Sequence, residues 1–322
     1  MLTDQTSGSR LLHKIRQRIQ HVISSFQSHR WQWLLGISCF FLVNGYIGYL
    51  LYKDWGALQQ DGWNWLRPDI RWLALTAVVQ FIGLLFAISG WWFIMRQFGY
   101  DISFRRHYKN YTIASLARKL PGIGWDIISR VYLYQKEGGS KVQVSIATVT
   151  ETIILGVSST IIALITLALP GSLVNSINPW ILVAILAVFV SLVPTPLFKR
   201  FLDWLNRYNQ AGANLRWQHL FAWVGFNLIS ITLGGVGLYC FCSAFGFDGS
   251  ASLVPVIQCW ALVMVSGIIL AWIPADLGVT NGIIIVALST MMPAHQAIVL
   301  LVAWRVWNTI NEIVWGGIGL TL

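Results

Sequence analysis

Six stretches of this chain, 31–52, 72–95, 142–169, 179–197, 217–244 and 294–320, are apolar over lengths that no strand needs. About 20 helical residues cross the hydrocarbon of a bilayer. Inside it every backbone N–H and C=O must be bonded within the protein, which leaves helices or closed barrels. The runs are too long for barrel strands, so the expected fold is an all-α polytopic membrane protein. Only 11% of the residues are charged, against about 25% in soluble domains.

The formal net charge of +10 would suit a nucleic-acid binder. Its placement argues otherwise, because the basic residues lie between the apolar runs. Five Lys/Arg fall in residues 1–30, nine between Arg96 and Lys141 and four in 199–216. Lys53, Arg67 and Arg71 fall in the loops of the other side. By the positive-inside rule the N-terminus is cytoplasmic. Residues 1–30 carry Leu11, Leu12, Ile15, Ile19, Ile23 and Phe26 at helical spacing, opposite Arg10, Lys14, Arg16 and Arg18. This is expected to be a basic amphipathic segment ahead of a single transport domain over 31–322. Cys39, Cys240, Cys242 and Cys259 form no CxxC pair, and the six histidines show no metal spacing. Neither a metal nor another cofactor is expected.

Two segments break the pattern. In Arg118-Lys119-Leu120-Pro121-Gly122-Ile123-Gly124-Trp125-Asp126, Pro121 removes a backbone donor and disfavours helix at Leu120. Neither half of 110–135 is long enough to span, so it is expected to enter and leave on one side. Residues 252–292 are interrupted likewise at Ile273-Pro274-Ala275-Asp276-Leu277-Gly278. Here 252–273 reads either as a full span or as half of a second hairpin. Leu120-Pro121-Gly122-Ile123-Gly124 echoes Ile273-Pro274-Ala275-Asp276-Leu277-Gly278, and each is followed by a span holding an ionisable residue, Glu151 or Arg305. About six spans plus two oppositely inserted re-entrant hairpins would constitute an inverted repeat.

A charge in hydrocarbon is costly and marks function by default. The candidates are Arg118, Lys119, Asp126, Arg130, Glu151, Asp276, Arg305 and Glu312. Arg130 with Glu151, and Arg305 with Glu312, are the pairs available; each pair could equally tie helices together. A half-helix starting near Ile123 aims unpaired N–H groups inward, and Thr280 or Asn281 can cap a second one starting near Gly282. Pro121, Gly122, Gly124 and Pro274 supply the breaks. Helix N-termini with arginine make an anion site, and at a membrane the natural anion is a phosphate. The tryptophans and phenylalanines are expected to face lipid or the interface.

Ala117-Arg118-Lys119-Leu120-Pro121-Gly122, then Arg130, Gly138 and Glu151, resembles the flippase-like membrane family that includes the transmembrane region of lysylphosphatidylglycerol synthases. Pro274-x-x-Leu277-Gly278-Val279 followed by Arg305 is similar to that family's second motif. It departs at Ala275-Asp276 and Asn281, where the family commonly has Gly and an acidic residue. The resemblance implies movement of a phospholipid or polyprenyl-linked saccharide between leaflets in the plasma (inner) membrane of a prokaryote. Its implied partners are membrane lipids with anionic or phosphate-containing head groups, with a homo-oligomer allowed and no nucleic acid. The soluble aminoacyl-transferring domain is absent up to Leu322, so lysyl transfer is not expected and the chain is not read as an enzyme. An intramembrane lipid-modifying enzyme, with Glu151 and Asp126 as its acids, and a non-transporting scaffold are the alternative classes.

Overall fold

A computed structural model of the chain describes residues 67–117, 125–172, 217–246, 253–270 and 276–322, with single helical positions within 45–56 and 180–187. Eight helices have defined bounds, and no strand occurs among the described residues. They are α1 (Ile70–Gln97), α2 (Phe104–Ala117), α3 (Trp125–Lys136), α4 (Lys141–Leu167), α5 (Trp217–Ala244), α6 (Leu253–Leu270), α7 (Asp276–Ser289) and α8 (Ala294–Thr321).

Among the described residues, α1, α4, α5 from His219, and α8 are long and apolar enough to cross a membrane. They match the expected spans 72–95, 142–169, 217–244 and 294–320. The other two expected spans, 31–52 and 179–197, lie largely outside the described residues, as does the 1–30 segment. The interrupted regions are short helices: α2 and α3 have 14 and 12 residues, α6 and α7 have 18 and 14. The helix in 252–273 ends at Leu270.

The order long, short, short, long thus occurs twice. Packing follows the same repeat: α2 lies on α3 and α6 on α7, α3 on α4 and α7 on α8, while α2 meets α8 and α6 meets α4. The halves join through α1 and α5, which are antiparallel. The Asp69 N–H donates to Ala244 O at 2.7 Å, and further along Ser230 Oγ donates to Gly83 O at 2.9 Å. Several buried core positions correspond between the halves. Trp91, Ile94 and Met95 stand as far into α1 as Leu238, Phe241 and Cys242 do into α5. Val144 and Ala147 on α4 match Ala297 and Leu300 on α8, and Tyr134 matches Ala287, each the same distance ahead of its following span.

Local chemistry explains how polar residues are buried in these spans. Thr148, Ser159, Thr160 and Thr166 each donate to the carbonyl four residues back, so these hydroxyls are paired within α4. Close approach of α2 to α8 depends on Gly316 and Gly319. A Cβ at Gly316 would lie 2.6 Å from Leu116 Cδ1, and one at Gly319 2.6 Å from Thr112 Oγ1. This small-residue contact, with a Tyr108 hydroxyl to Trp315 O bond of 3.4 Å, runs α2 antiparallel to α8.

Candidate functional site

The end of α3 is fixed by Gly138, whose φ of 88° is the left-handed conformation that closes a helix. The Gly138 and Gly139 N–H groups take up the carbonyls of Gln135 and Tyr134. The adjoining turn is tied by Tyr100, whose hydroxyl donates to Glu137 O at 2.7 Å, and by an Arg106–Glu137 ion pair of 2.9 Å. Burial, and then the Glu137 charge, push the Tyr100 phenol above its ordinary value. With its C-terminal end pinned, α3 presents Arg130 and Tyr134, one turn apart, to the space between α1, α2 and α4.

Arg130 is 3% exposed and donates through Nη1 to Glu151 Oε2 on α4. Its guanidinium lies 4.6 Å from the Trp91 ring centre on α1 and 4.4 Å from that of Tyr111 on α2. A planar guanidinium suits such stacking, while an ammonium would not fill the slot. Four elements therefore converge on one cation. The neighbouring Tyr134 is fully buried. Trp91 Nε1–H donates to its hydroxyl at 2.6 Å, and His107 Nδ1 lies 2.8 Å from the same oxygen. Indole is only a donor, so the Tyr134 oxygen accepts from Trp91, while its bond with His107 Nδ1 takes its direction from the imidazole tautomer. His107 Nε2, Arg130 Nε and Asn110 Nδ2 are buried atoms without hydrogen-bond partners in this structure.

The expected pairing of Arg130 with Glu151 is thus present. Arg130 is nevertheless not a free anion ligand, since Glu151 and two rings occupy its guanidinium. The tryptophan expectation needs correcting: Trp91, Trp223 and Trp304 are 1%, 1% and 3% exposed. They pack in the apolar cores between helices. Apolarity alone cannot separate a lipid-facing ring from a buried one.

At the second interruption the capping expectation is also corrected. Helix α7 begins at Asp276, so Thr280 and Asn281 lie inside it and do not cap it. Asn281 is buried there at 6% exposure, and Thr280 faces Gly267 on α6. Helix α3 begins at Trp125, close to the expected Ile123. Asp126 and Asp276 fall in the first turns of α3 and α7. Arg118, Lys119, Pro121, Gly122, Gly124 and Pro274 lie outside the described residues. Arg305 and Glu312 stand two turns apart on one face of α8. The structure does not bring either to Arg130.

The two halves differ at the charged pair. Counted from the following span, Arg130 corresponds to Ile283 and Glu151 to Trp304, both in or against an apolar core. At these two positions the second half is apolar. Sequence reasoning missed Trp91, Tyr111, Tyr134 and His107. The usable signal was that a membrane arginine requires partners, and that α2 and α3 carry four Tyr and one His between them.

The sequence model of the lysylphosphatidylglycerol synthase TM region matches residues 19–316, most of the chain. The chain belongs to this family. It is accordingly an integral membrane protein of a lipid-related family, and the expected resemblance stands. No curated protein matches the chain.

Proposed function

We propose that this member of the lysylphosphatidylglycerol synthase TM family is a flippase-like carrier. It moves an anionic or phosphate-linked lipid head group between leaflets while the tails stay in hydrocarbon. Its substrates are a phospholipid or a polyprenyl-linked saccharide, and it works without catalysis. It sits in the plasma membrane of a prokaryote with its N-terminus cytoplasmic, alone or as a homo-oligomer.

The observation that supports this reading is the doubled long-short-short-long order around antiparallel α1 and α5. Two interrupted segments inserted from opposite sides give the alternate access a carrier needs. The charges on or beside those segments, Arg118, Lys119, Arg130 and Arg305, offer a phosphate a solvated route. In the conformation described Arg130 is locked to Glu151. Substrate engagement therefore requires that lock to open, which ties transport to a change in α3 against α4.

The test is leaflet exchange of fluorescent-tailed anionic lipids in proteoliposomes containing the purified protein. Exchange above that of protein-free vesicles is the expected outcome. Absence of exchange for every anionic and polyprenyl-linked lipid supplied would favour a scaffold.

A further inference from the structure

A second polar cluster lies at mid-length of the spans, away from Arg130. Gln80 on α1 reaches three side chains of α8. Its Nε2 donates to Asn308 Oδ1 at 2.9 Å, and its Oε1 accepts from Trp307 Nε1 at 2.9 Å and Asn311 Nδ2 at 3.0 Å. The carbonyl of Gln80 is thereby saturated. Among the described residues Asn308 uses only its carbonyl, which leaves both hydrogens of its amide unspent.

Gln80 and Asn308 are half-buried where α1 meets α8, while Thr309 beside them is exposed. On α8 the residues Arg305, Asn308, Thr309 and Glu312 recur at i, i+3, i+4 and i+7, and so share one face. Val306, Ile310 and Ile313 are exposed on another face. The polar face continues into Gly316 and Gly319, which receive α2, so it points to the side where the first interrupted segment packs. Packing alone does not call for amides here. At the corresponding crossing of α5 with α4, Leu155 takes the place of Asn308, and Asn227, in the place of Gln80, bonds within its own helix to Trp223 O at 3.0 Å.

We infer that Asn308, held by Gln80 beside Trp307, forms a subsite for the hydroxyl groups of a polyol or sugar lipid head group. This rests on the carrier reading above. Neutral amides with free N–H groups recognise neutral hydroxyl oxygens, and a charged ligand would draw on arginine or lysine instead. An indole edge beside an amide also suits a polyhydroxylated ring or chain, which presents C–H faces as well as hydroxyls. Arg305 stands one turn away on the same face. Gln80 is a positioning residue, since its three bonds fix Asn308 and Trp307 relative to α1.

The experiment compares three fluorescent-tailed lipids in proteoliposomes: phosphatidylglycerol, monoglucosyl diacylglycerol and phosphatidylethanol. The first two carry a polyol or a sugar, and the third has a phosphate but no hydroxyl. Wild type should exchange at least one hydroxyl-bearing lipid about tenfold faster than phosphatidylethanol, the scale of one to two hydrogen bonds. The preferred one identifies the source. Asn308→Leu should bring the rates within about twofold of each other and leave phosphatidylethanol unchanged; Asn308→Gln should restore part of the preference. Asn308→Ser replaces the leucine variant if that one unfolds in detergent. Equal loss on all three lipids, or no loss of preference, would overturn the subsite. Should wild type exchange nothing, the carrier reading fails separately, and binding then decides the subsite. Short-chain phosphatidylglycerol must raise the melting temperature in detergent more than short-chain phosphatidylethanol does, and Asn308→Leu must erase the difference; without such a difference the subsite falls.

Discussion

Trp91 on α1 donates its indole N–H to the hydroxyl of Tyr134 on α3 over 2.6 Å, and the same indole ring stacks on Arg130. One side chain thus orients both polar residues that α3 presents to the bundle. The consequence is a rigid seat for the Arg130–Glu151 pair, built from ring faces and one hydroxyl.

Removing the hydroxyl tests that seat. Tyr134→Phe leaves the Trp91 N–H and His107 Nδ1 unpaired in a fully buried place. The expected loss is about 1–3 kcal/mol. Thermal unfolding in detergent, read by Trp fluorescence, should show a lowered midpoint. An unchanged midpoint would mean that the three-residue network contributes nothing to stability.

The ion pair itself calls for a double-mutant cycle. Arg130→Met or Glu151→Met alone strands a buried charge and should cost about 3–5 kcal/mol. The double variant should lose clearly less than the sum, because both charges leave together. Arg130→Lys should behave like a loss, since an ammonium cannot fill the slot between Trp91 and Tyr111. Additive losses from the cycle would mean the two residues stabilise the fold independently.

How much of this was legible beforehand depends on the type of signal. Long apolar runs fix spans because the bilayer enforces a length, and α1, α4, α5 and α8 fall where expected. The Pro-Gly interruption announced short helices for a covalent reason at Pro121. The Arg130–Glu151 pair was readable because a buried charge needs an opposite one. Trp91 and Tyr111 were not, since contact between α1, α2 and α3 is tertiary and indoles also suit the membrane interface. Thr280 and Asn281 misled for a similar reason: good capping residues also tolerate helix interiors, and α7 begins earlier, at Asp276. The doubled element order was faint as a motif because matching buried positions differ in identity, such as Trp91 against Leu238.

The contact between α2 and α8 can be trapped. A Cβ at Gly319 would lie close to the Thr112 side chain. With the native cysteines replaced, Thr112→Cys combined with Gly319→Cys should form a disulfide under mild oxidation. Gly319→Leu should instead push the helices apart and lower the unfolding midpoint, as overpacking does by about 1–3 kcal/mol. No crosslink from the cysteine pair would place α2 elsewhere.

The basic loops predict an orientation that labelling can test. Single cysteines replacing Phe104, Gly138 and Leu205 should label with an impermeant maleimide from the cytoplasmic side, and one replacing Asp248 from outside. Labelling of position 138 from outside would make the α2–α3 region a full crossing and end the hairpin reading.

Leaflet exchange in proteoliposomes bears most directly on the central claim, that this fold carries a phosphate-bearing head group past a lock formed by Arg130 and Glu151. Wild type should exchange an anionic lipid. Arg130→Lys, Glu151→Gln and Arg305→Ala, each shown to be folded, should slow that exchange at least about tenfold, the effect of losing one charge-assisted contact. Wild-type rates in all three folded variants would contradict the account.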